Sequence, residues 1–529
     1  MDRYTKIFLV LLVVAFGLLF SFKMGAPALF EDDEGRITEV AREILVTGKW
    51  IDLQFNYEPW FHKPPLYPWL TAVTFFVFGI SEFTARIWAA LFGLGTLIVT
   101  YFLGRSIYDE AAGGLAAIMT GSSLLFLSLS RAGFVDTGLT FFVALSVLLF
   151  HMGYSDERRK GLLILSALAM ALGTLVKGPL GLLLPGGSIF IYILCKKDFG
   201  FFARYFREIG LGALVYFAAA SPWWIAETII HGGAFLEGLF GQYMLGIYST
   251  AFQKHSGPIY FYIIVILVGM MPWSVHAAIG LYRSLRSGER DRALLLLILS
   301  AVVFAVFSLA QTKIPGYILP IFPPLTIIAA GYLKGDLASG SPVNRSSFAV
   351  LLGLTVIFFL ASLFVRVPEE YLVFTVAFRW MTFIFAVLSA AAFALVNIRN
   401  YAPLAVVPLL LMSVTYLVFA SEIIIPAFEY YKPVKRMAEE VREYLPSGYE
   451  ADYYNYKTWY RSSLPFYMKA RVTHVDDVNE MKRILKGKRG AVFFTDTKIF
   501  NDVRRSLPPG SVRIDTEADL VSFTNVVGK

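Results

Sequence analysis

EDDEGRITEVAREILVTGKWIDLQFNYEPWFHKPPLYPW, residues 31–69, follows an apolar N-terminal segment that is long enough to enter a membrane. The stretch opens on four consecutive carboxylates, Glu31 to Glu34. Apolar residues then recur three and four positions apart from Ile37 to Leu45, which predicts an amphipathic helix that Gly48 ends. Further on, Lys63 precedes two prolines that hold the backbone extended. Carboxylates and a lysine at a membrane surface could serve as a base and a phosphate ligand.

The same residues also fit a structural interpretation. Asp32 or Asp33 could be the N-cap of the helix, with the neighbouring acids stabilised by the helix dipole. Lys63 could simply face solvent. Features elsewhere in the chain are needed to choose between these two interpretations.

The composition is that of a polytopic membrane protein. The 529 residues are 57% hydrophobic and only 16% charged, whereas soluble proteins have about 25% charged residues. The net charge of +8 therefore indicates basic loops on one side of a membrane, and not nucleic-acid binding. One cysteine, Cys195, excludes an intrachain disulfide. No HExxH, P-loop, zinc-finger or GxSxG motif is present, which argues against peptidase, NTPase and hydrolase functions.

Apolar runs of about 20 residues predict about thirteen membrane spans, the first of them an uncleaved N-terminal segment. The predicted spans lie at 5–22, 83–104, 111–128, 137–153, 161–176, 178–195, 209–226, 258–281, 293–310, 317–333, 347–365, 372–397 and 401–421. The apolar segment Leu66–Ile80 has a proline-rich start, and we interpret it as a helix lying at the interface.

Basic residues predict the orientation of these spans. The loops at 158–160, 196–207, 283–292 and 334–345 concentrate lysine and arginine on the same side as Arg3, which assigns that side to the cytoplasm. The acidic cluster and several isolated polar residues then fall on the opposite, external side of what we expect to be an inner (plasma) membrane.

Residues 426–529 have the charged, periodic composition of a soluble α/β domain. An amphipathic helix is predicted from Val434 to Leu445, strands at Ala491–Thr495 and Ser511–Ile514, and a helix near Lys498–Ser506. We expect residues 1–425 to form the membrane domain, with an external loop at 23–82, and the C-terminal domain to lie outside the cytoplasm.

The external polar residues that could carry chemistry fall at span ends. Arg131 and Asp136 flank a short connection, and an ionisable residue at the start of an apolar helix is a functional candidate. Lys177 precedes Gly178-Pro179, and there a snorkelling lysine at a helix break is the favoured interpretation. Lys313 and Tyr317 suit either a phosphate at headgroup depth or interfacial anchoring.

Two histidines, His62 and His255, provide too few ligands to establish a metal site on their own. A lone histidine is more often a hydrogen-bonded structural residue, and a partial zinc site is left open.

In combination these motifs resemble the aminoarabinose (lipid A) transferase family of GT-C membrane glycosyltransferases, which is related to protein O-mannosyltransferases. The resemblance covers most of residues 25–335 and rests on several short motifs. They are Asp33-Glu34-x-Arg36, Glu39 and Arg42, Phe61-His-Lys63-Pro-Pro65, Tyr67-Pro-Trp69, Arg131 to Asp136, Lys177-Gly178, Ser221-Pro-Trp-Trp224, His255-x-x-Pro258, Pro272-Trp273 and Lys313-Ile-Pro-x-Tyr317-x-Leu-Pro320.

The resemblance implies a GT-C fold and a polyprenyl-phosphate sugar donor, with an extracytoplasmic acceptor that is commonly a lipid. It implies that Asp33, Glu34 and Asp136 are catalytic carboxylates. The residues expected at the donor phosphate are Lys63, Arg36, Arg131, Lys313 and Tyr317. The family commonly has a tyrosine where this chain has Ile37, and a glutamate where it has His62. In the family that glutamate and the later histidine can share a metal, so the resemblance leaves open a metal site at His62 and His255.

The chemistry suits an inverting displacement in which a carboxylate takes the proton of the acceptor hydroxyl. Cations stabilise the leaving lipid phosphate, so no cofactor or divalent ion is strictly required. Three alternatives stay open: a transporter or lipid flippase, a protein O-glycosyltransferase, and a catalytically inactive scaffold. Transporters place polar residues near the bilayer midplane and often show repeats, whereas here the ionisable residues lie at span ends and no repeat is found.

Overall fold

The computed structural model divides the chain into two compact units. The helical unit comprises Met1–Phe22, Phe61–Tyr67 and Ile87–Phe419, and the composite unit comprises Lys23–Trp60, Pro68–Arg86 and Ala420–Lys529. The residues that the structure describes are 3–239, 241, 246, 256–286, 290–339, 342–368, 372–398, 401–431, 433–446, 449–457, 461–487, 489–517 and 520–526.

Helices dominate the described part of the chain up to residue 431. They are α1 (Arg3–Ser21), α2 (Asp33–Thr47), α3 (Leu66–Phe78), α4 (Glu82–Ile107), α5 (Glu110–Ser122), α6 (Leu124–Leu129), α7 (Asp136–Ser155), α8 (Leu162–Lys177), α9 (Leu180–Lys196), α10 (Gly200–Arg204), α11 (Phe206–His231), α12 (Gly233–Leu236), α13 (Phe261–Gly269), α14 (Ser274–Arg286), α15 (Arg290–Leu309), α16 (Phe322–Ser339), α17 (Pro342–Phe364), α18 (Leu372–Val396), α19 (Val406–Phe419) and α20 (Ile425–Tyr431). Short 3₁₀ turns cover Glu157–Arg159, Pro315–Ile321 and Ala402–Ala405, and a π turn covers Ala420–Ile424.

The predicted number of thirteen spans is not confirmed. Within the described ranges, nine helices are long and apolar enough to cross a bilayer, or ten if one bent pair counts as a span. The bent pair is α13 and α14, whose axes differ by 116°. The predicted spans at 161–176 and 178–195 correspond to α8 and α9, which are apolar but too short to count among the nine helices.

The segment predicted to span at 111–128 forms two helices because the chain changes direction at Ser123, which has extended backbone dihedrals. Composition reveals a long apolar run, but it does not reveal a break within that run. The helices pack around one large apolar core in which Phe20, Leu97, Trp273 and Phe322 are fully enclosed.

The predicted amphipathic helix in the composite unit is confirmed as α2. Its apolar face is buried at Ile37, Val40 and Ile44. Gly48 ends the helix with a left-handed conformation at φ 72°, and its N–H bonds to the Ile44 carbonyl at 2.9 Å. Glycine reaches this conformation without the steric cost that a Cβ imposes.

A two-residue hairpin follows α2. Strands β1 (Gln54–Phe55) and β2 (Glu58–Pro59) pair through Phe55 and Glu58, and Asn56 and Tyr57 form the turn with φ of 57° and 63°. Two positive φ values are typical of a type I′ turn. The Asn56 side chain exchanges two hydrogen bonds with the backbone of Val472, at 2.9 and 2.8 Å.

The C-terminal residues form the predicted α/β fold. Strands β3 (Asp452–Tyr456), β4 (Val472–Val475), β5 (Ala491–Asp496), β6 (Val512–Glu517) and β7 (Leu520–Thr524) make a sheet in the order β4-β3-β5-β7-β6. Around it lie α21 (Val434–Tyr444), α22 (Leu464–Met468), α23 (Val478–Leu485), α24 (Thr497–Val503) and a 3₁₀ turn at Arg504–Ser506.

The sheet is mixed, and Asn56 reaches its β4 edge. Strand β3 runs parallel to β4 and β5, whereas β7 runs antiparallel to β5 and β6. The Asn56 side chain therefore satisfies the backbone N–H and carbonyl of Val472 at the β4 edge, which would otherwise be unpaired.

The division into units differs from the domain boundaries expected from composition. Residues 23–60 and 68–86 group with the C-terminal residues. The reason is a set of polar contacts that composition does not reveal: Glu31 bonds to Ser462 and Ser463, and Asn56 bonds to Val472.

Candidate active site

A buried ion pair joins α7 and α8 in the helical unit. Lys177 Nζ lies 2.5 Å from Asp136 Oδ1, and their side chains are only 6% and 4% exposed. Asp136 is the first residue of α7 and Lys177 is the last of α8. Each charge therefore occupies the helix end that stabilises it, since N-termini favour anions and C-termini favour cations.

Tyr317 completes this cluster from a third segment. The Lys177 ammonium lies 3.8 Å from the centre of the Tyr317 ring, a cation–π distance. Next to it, a Cβ on Gly316 would lie 3.2 Å from Asp136 Oδ2, so this backbone packs directly on the carboxylate. Two residues predicted for the site, Asp136 and Tyr317, are thus brought together by a third, Lys177. The sequence interpretation of Lys177 as a snorkelling residue is wrong, because its side chain is buried and ion-paired.

Lys63 is also buried, with 1% of its surface exposed. The alternative that it faces solvent is therefore wrong. Two aromatic neighbours in the chain fix its segment on the helical unit: the Phe61 ring lies 5.0 Å from the His231 ring, and Tyr67 lies 6.2 Å from Phe92. Buried ionisable residues are rare in membrane domains and often functional, which makes Lys63 a functional candidate.

Phe92 connects the Lys63 segment to α7. Its ring lies 5.6 Å from the rings of both Phe141 and Phe142, and a Cβ on Gly138 would touch it at 3.3 Å. Gly138 lies half a turn after Asp136. Packing around Phe92 thus connects the segment Lys63-Pro-Pro65 to α7, the helix that begins with Asp136.

Lys313 occupies a different position. Its ammonium group donates to the carbonyls of Phe307 at 3.2 Å, Ser308 at 2.6 Å and Ala310. These carbonyls terminate α15, and a lysine ammonium has three donors. In this conformation Lys313 closes a helix C-terminus, and its predicted phosphate contact stays a prediction.

Two arginines that were predicted to bind the donor phosphate contact nearby groups of the protein. Arg131 donates to the backbone carbonyl of Phe22. In the composite unit Arg36 lies 3.5 Å from Asp32, with 12% of its side chain exposed. Their assignment to the donor phosphate is untested by these contacts and stays a prediction.

The two adjacent carboxylates at the start of α2 differ in their surroundings. Glu34 is fully buried, accepts the Phe30 N–H at 2.7 Å, and accepts two bonds from Arg86 at 2.7 and 3.0 Å. Asp33 is partly exposed. A general base must reach the proton that it removes, so this difference favours Asp33. The catalytic assignments of both residues stay predictions.

A second buried acidic cluster, Glu39 and Glu43, follows on α2, and the sequence motifs included Glu39 and Arg42 but not Glu43. Glu39 forms two hydrogen bonds of 2.7 Å with Arg42, and the Arg42 guanidinium also donates to the Tyr57 hydroxyl at 3.2 Å. Glu43 accepts the Tyr57 N–H at 2.9 Å. Burial, together with the neighbouring Glu39, raises the pKa of Glu43 to about 8. Glu43 therefore keeps its proton at neutral pH.

The zinc site predicted from the sequence would involve His62 and His255. His62 belongs to the helical unit, whereas His255 lies outside the described residues. The proposal of a metal between them stays a prediction.

Comparisons with known proteins agree with this architecture. Residues 62–226 match the family described as dolichyl-phosphate-mannose-protein mannosyltransferase. The structure of ArnT from Cupriavidus metallidurans bound to undecaprenyl phosphate superposes with a TM-score of 0.85, at 21% identity and covering 98% of both chains. The chain is therefore similar to aminoarabinose transferase-like GT-C glycosyltransferases.

Two curated relatives show how far the similarity extends. An uncharacterised Aquifex aeolicus protein is 27% identical over 87% of this chain and 86% of its own length. The undecaprenyl phosphate-alpha-4-amino-4-deoxy-L-arabinose arabinosyl transferase of Pseudomonas aeruginosa is 29% identical over 66% of this chain. That match spans 63% of the Pseudomonas transferase. The family resemblance predicted from the sequence motifs is thereby confirmed.

Proposed function

We propose that this GT-C chain is a membrane glycosyltransferase that moves a sugar from a polyprenyl-phosphate carrier to an acceptor outside the cytoplasm. The observation that carries the proposal is the buried Asp136–Lys177 pair against the Tyr317 ring, held at the start of α7 and the end of α8. A lipid monophosphate is a charged group at headgroup depth, and buried lysines are suited to bind it.

The residues divide into two chemical roles. Asp33 acts as the base that takes the proton of the acceptor hydroxyl, since carboxylates can serve as general bases. Lys63 and Lys177 bind the phosphate and stabilise the charge that grows on it as the glycosidic bond breaks. Asp136 holds the Lys177 ammonium in place. A single displacement by a hydroxyl inverts the configuration of the anomeric carbon.

The acceptor is a lipid A-type or other envelope glycolipid, and the chain lies in the inner membrane with its active site on the external face. The curated relatives whose names specify aminoarabinose transfer support this choice. The protein mannosyltransferase family match supports a protein acceptor as the second candidate. Lysines compensate a monophosphate without a divalent ion, so transfer proceeds in the presence of a chelator.

The test uses purified protein in lipid nanodiscs with undecaprenyl-phosphate-linked, radiolabelled 4-amino-4-deoxy-L-arabinose and either lipid A or an envelope protein extract. We expect label to pass to the lipid, with the configuration inverted, and to be lost with Asp33→Asn or Lys63→Ala. Label in the protein fraction selects the second candidate. Translocation of the donor across the bilayer without transfer identifies a flippase and contradicts the proposal.

A further inference from the structure

The backbone at Asp32 adopts a conformation that few side chains tolerate. Its φ is 69° and its ψ is −111°, outside the left-handed helical region and close to conformations that are essentially limited to glycine. Asp32 immediately precedes Asp33, the proposed base. Such a conformation persists only where the surrounding structure holds it, and the residues on both sides of Asp32 are firmly held.

On the C-terminal side of Asp32 the anchor is Glu34. Its carboxylate bonds to Arg86, which is 1% exposed. All five donors of Arg86 are used, because the guanidinium also donates to the carbonyls of Met24, Pro27 and Ala28. One arginine thus fixes both the start of α2 and the chain that leads to it.

On the N-terminal side the anchor comes from the C-terminal domain. Glu31 accepts the Ser463 N–H at 3.1 Å, the Ser463 hydroxyl at 2.5 Å and the Ser462 hydroxyl at 3.2 Å. Both serines are fully buried. A Cβ on Gly35 would lie 2.9 Å from the Ser463 nitrogen, so the first turn of α2 packs directly on this backbone.

A second contact comes from α22, the helix that begins directly after Ser463. The Tyr467 hydroxyl accepts the Leu29 N–H at 2.7 Å and donates to Glu82 at 3.3 Å. Lys435 bonds to Glu82 at 2.6 Å. Residues of the C-terminal domain therefore hold the acidic loop at two points, just before the strained residue.

We infer that the C-terminal α/β domain positions the catalytic loop, and that Glu31 is a positioning residue which, through Ser463, keeps the strained Asp32 backbone in place and Asp33 aimed at its substrate. This role rests on the proposed function. Without the hydrogen bonds from Ser462 and Ser463 to Glu31, Asp32 relaxes to negative φ and Asp33 is displaced. Displacing a reacting group by about 1 Å can lower a rate by about 100-fold.

The experiment compares full-length Glu31→Gln, Ser463→Ala and the double variant Glu31→Gln/Asp32→Gly in the transfer assay. We expect Glu31→Gln to lower kcat by about 10- to 100-fold with little change in the donor KM. Ser463→Ala should have a smaller effect. Glycine at position 32 adopts the strained conformation without cost, so the double variant should recover much of kcat. A Glu443→Gln variant, on the exposed face of α21, is the matched control.

Amide hydrogen exchange across residues 31–36 gives a readout that does not need activity. Glu31→Gln should speed exchange there, and Asp32→Gly should slow it again in the double variant. Wild-type kcat and exchange in both Glu31→Gln and Ser463→Ala would overturn the inference, as would a fall in kcat that Asp32→Gly does not reverse. Absence of transfer by the wild-type protein would count against the proposed function, and the exchange data would still decide whether Glu31 holds the loop.

Discussion

Replacing Lys177 by methionine distinguishes a structural ion pair from a working phosphate site. The Lys177 ammonium lies 2.5 Å from the Asp136 carboxylate in a buried position. Methionine keeps much of the apolar volume of lysine but leaves the carboxylate uncompensated. Removing one partner of a buried ion pair costs about 3–5 kcal/mol. We therefore expect Lys177→Met to unfold at a clearly lower temperature than the wild-type protein.

The double variant Lys177→Met/Asp136→Asn provides the decisive comparison. Replacing both partners of a buried pair by neutral residues is often close to neutral for stability, so most of the lost stability should return. Transfer should not return, because the leaving phosphate still lacks a cation. Losing such a contact costs about 2–4 kcal/mol of transition-state stabilisation, which corresponds to a rate about 30- to 1,000-fold lower.

Thermal unfolding and labelled-sugar transfer, measured on the same nanodisc preparations, provide the two readouts. Lys160→Met is the control, because Lys160 also pairs with a carboxylate, Glu208 at 3.0 Å, but its own side chain is 55% exposed, so water can reach the position of the lost charge. A wild-type transfer rate in Lys177→Met would refute the phosphate role. So would a double variant that recovers rate and stability together.

Three further changes test the surrounding structure. Lys313→Met should lower the unfolding temperature through loss of the α15 C-cap, while transfer falls far less than in Lys177→Met; an equal or larger loss of transfer would show a direct phosphate contact. The pKa of Glu43 is raised from 4.5 to about 8 in the folded protein. Because the folded protein then binds this proton more tightly than the unfolded chain, the unfolding free energy should fall as pH rises from 4.5 to about 8. The fall is at most about 1.4 kcal/mol per pH unit. Glu43→Gln should flatten that pH dependence in thermal unfolding, and an unchanged slope would contradict the raised pKa. Asn56→Ala removes two hydrogen bonds to the β4 edge and should destabilise the protein by about 1–3 kcal/mol. An unfolding temperature that falls no more than in a variant of an exposed residue would show that the hairpin does not stabilise the sheet.

Local patterns in the sequence predicted the elements that depend on local physics. The apolar spacing of α2 and its end at Gly48 appear as expected, and so do the C-terminal strands near Ala491 and Val512. Both features follow from side-chain periodicity and backbone preference over a few residues.

Contacts between residues far apart in the chain could not be predicted from the sequence. Lys177 and Asp136 are 41 positions apart, and Glu31 lies 432 positions before Ser463. Side-chain periodicity does not reveal such pairs, so Lys177 was interpreted as a snorkelling lysine and the acidic loop was assigned to the membrane domain. The predicted number of spans was not confirmed, for the related reason that hydropathy does not show where an apolar run bends.

The affinity of the purified protein for undecaprenyl phosphate, measured in nanodiscs, tests the central claim most directly, because this lipid is the leaving group of the proposed reaction. We expect saturable binding that weakens by about 30-fold or more in Lys63→Ala, equivalent to about 2 kcal/mol, and that is unchanged in Lys160→Met. No saturable binding, or equal affinity in Lys63→Ala and the wild-type protein, would contradict a lipid-phosphate site built on this buried lysine.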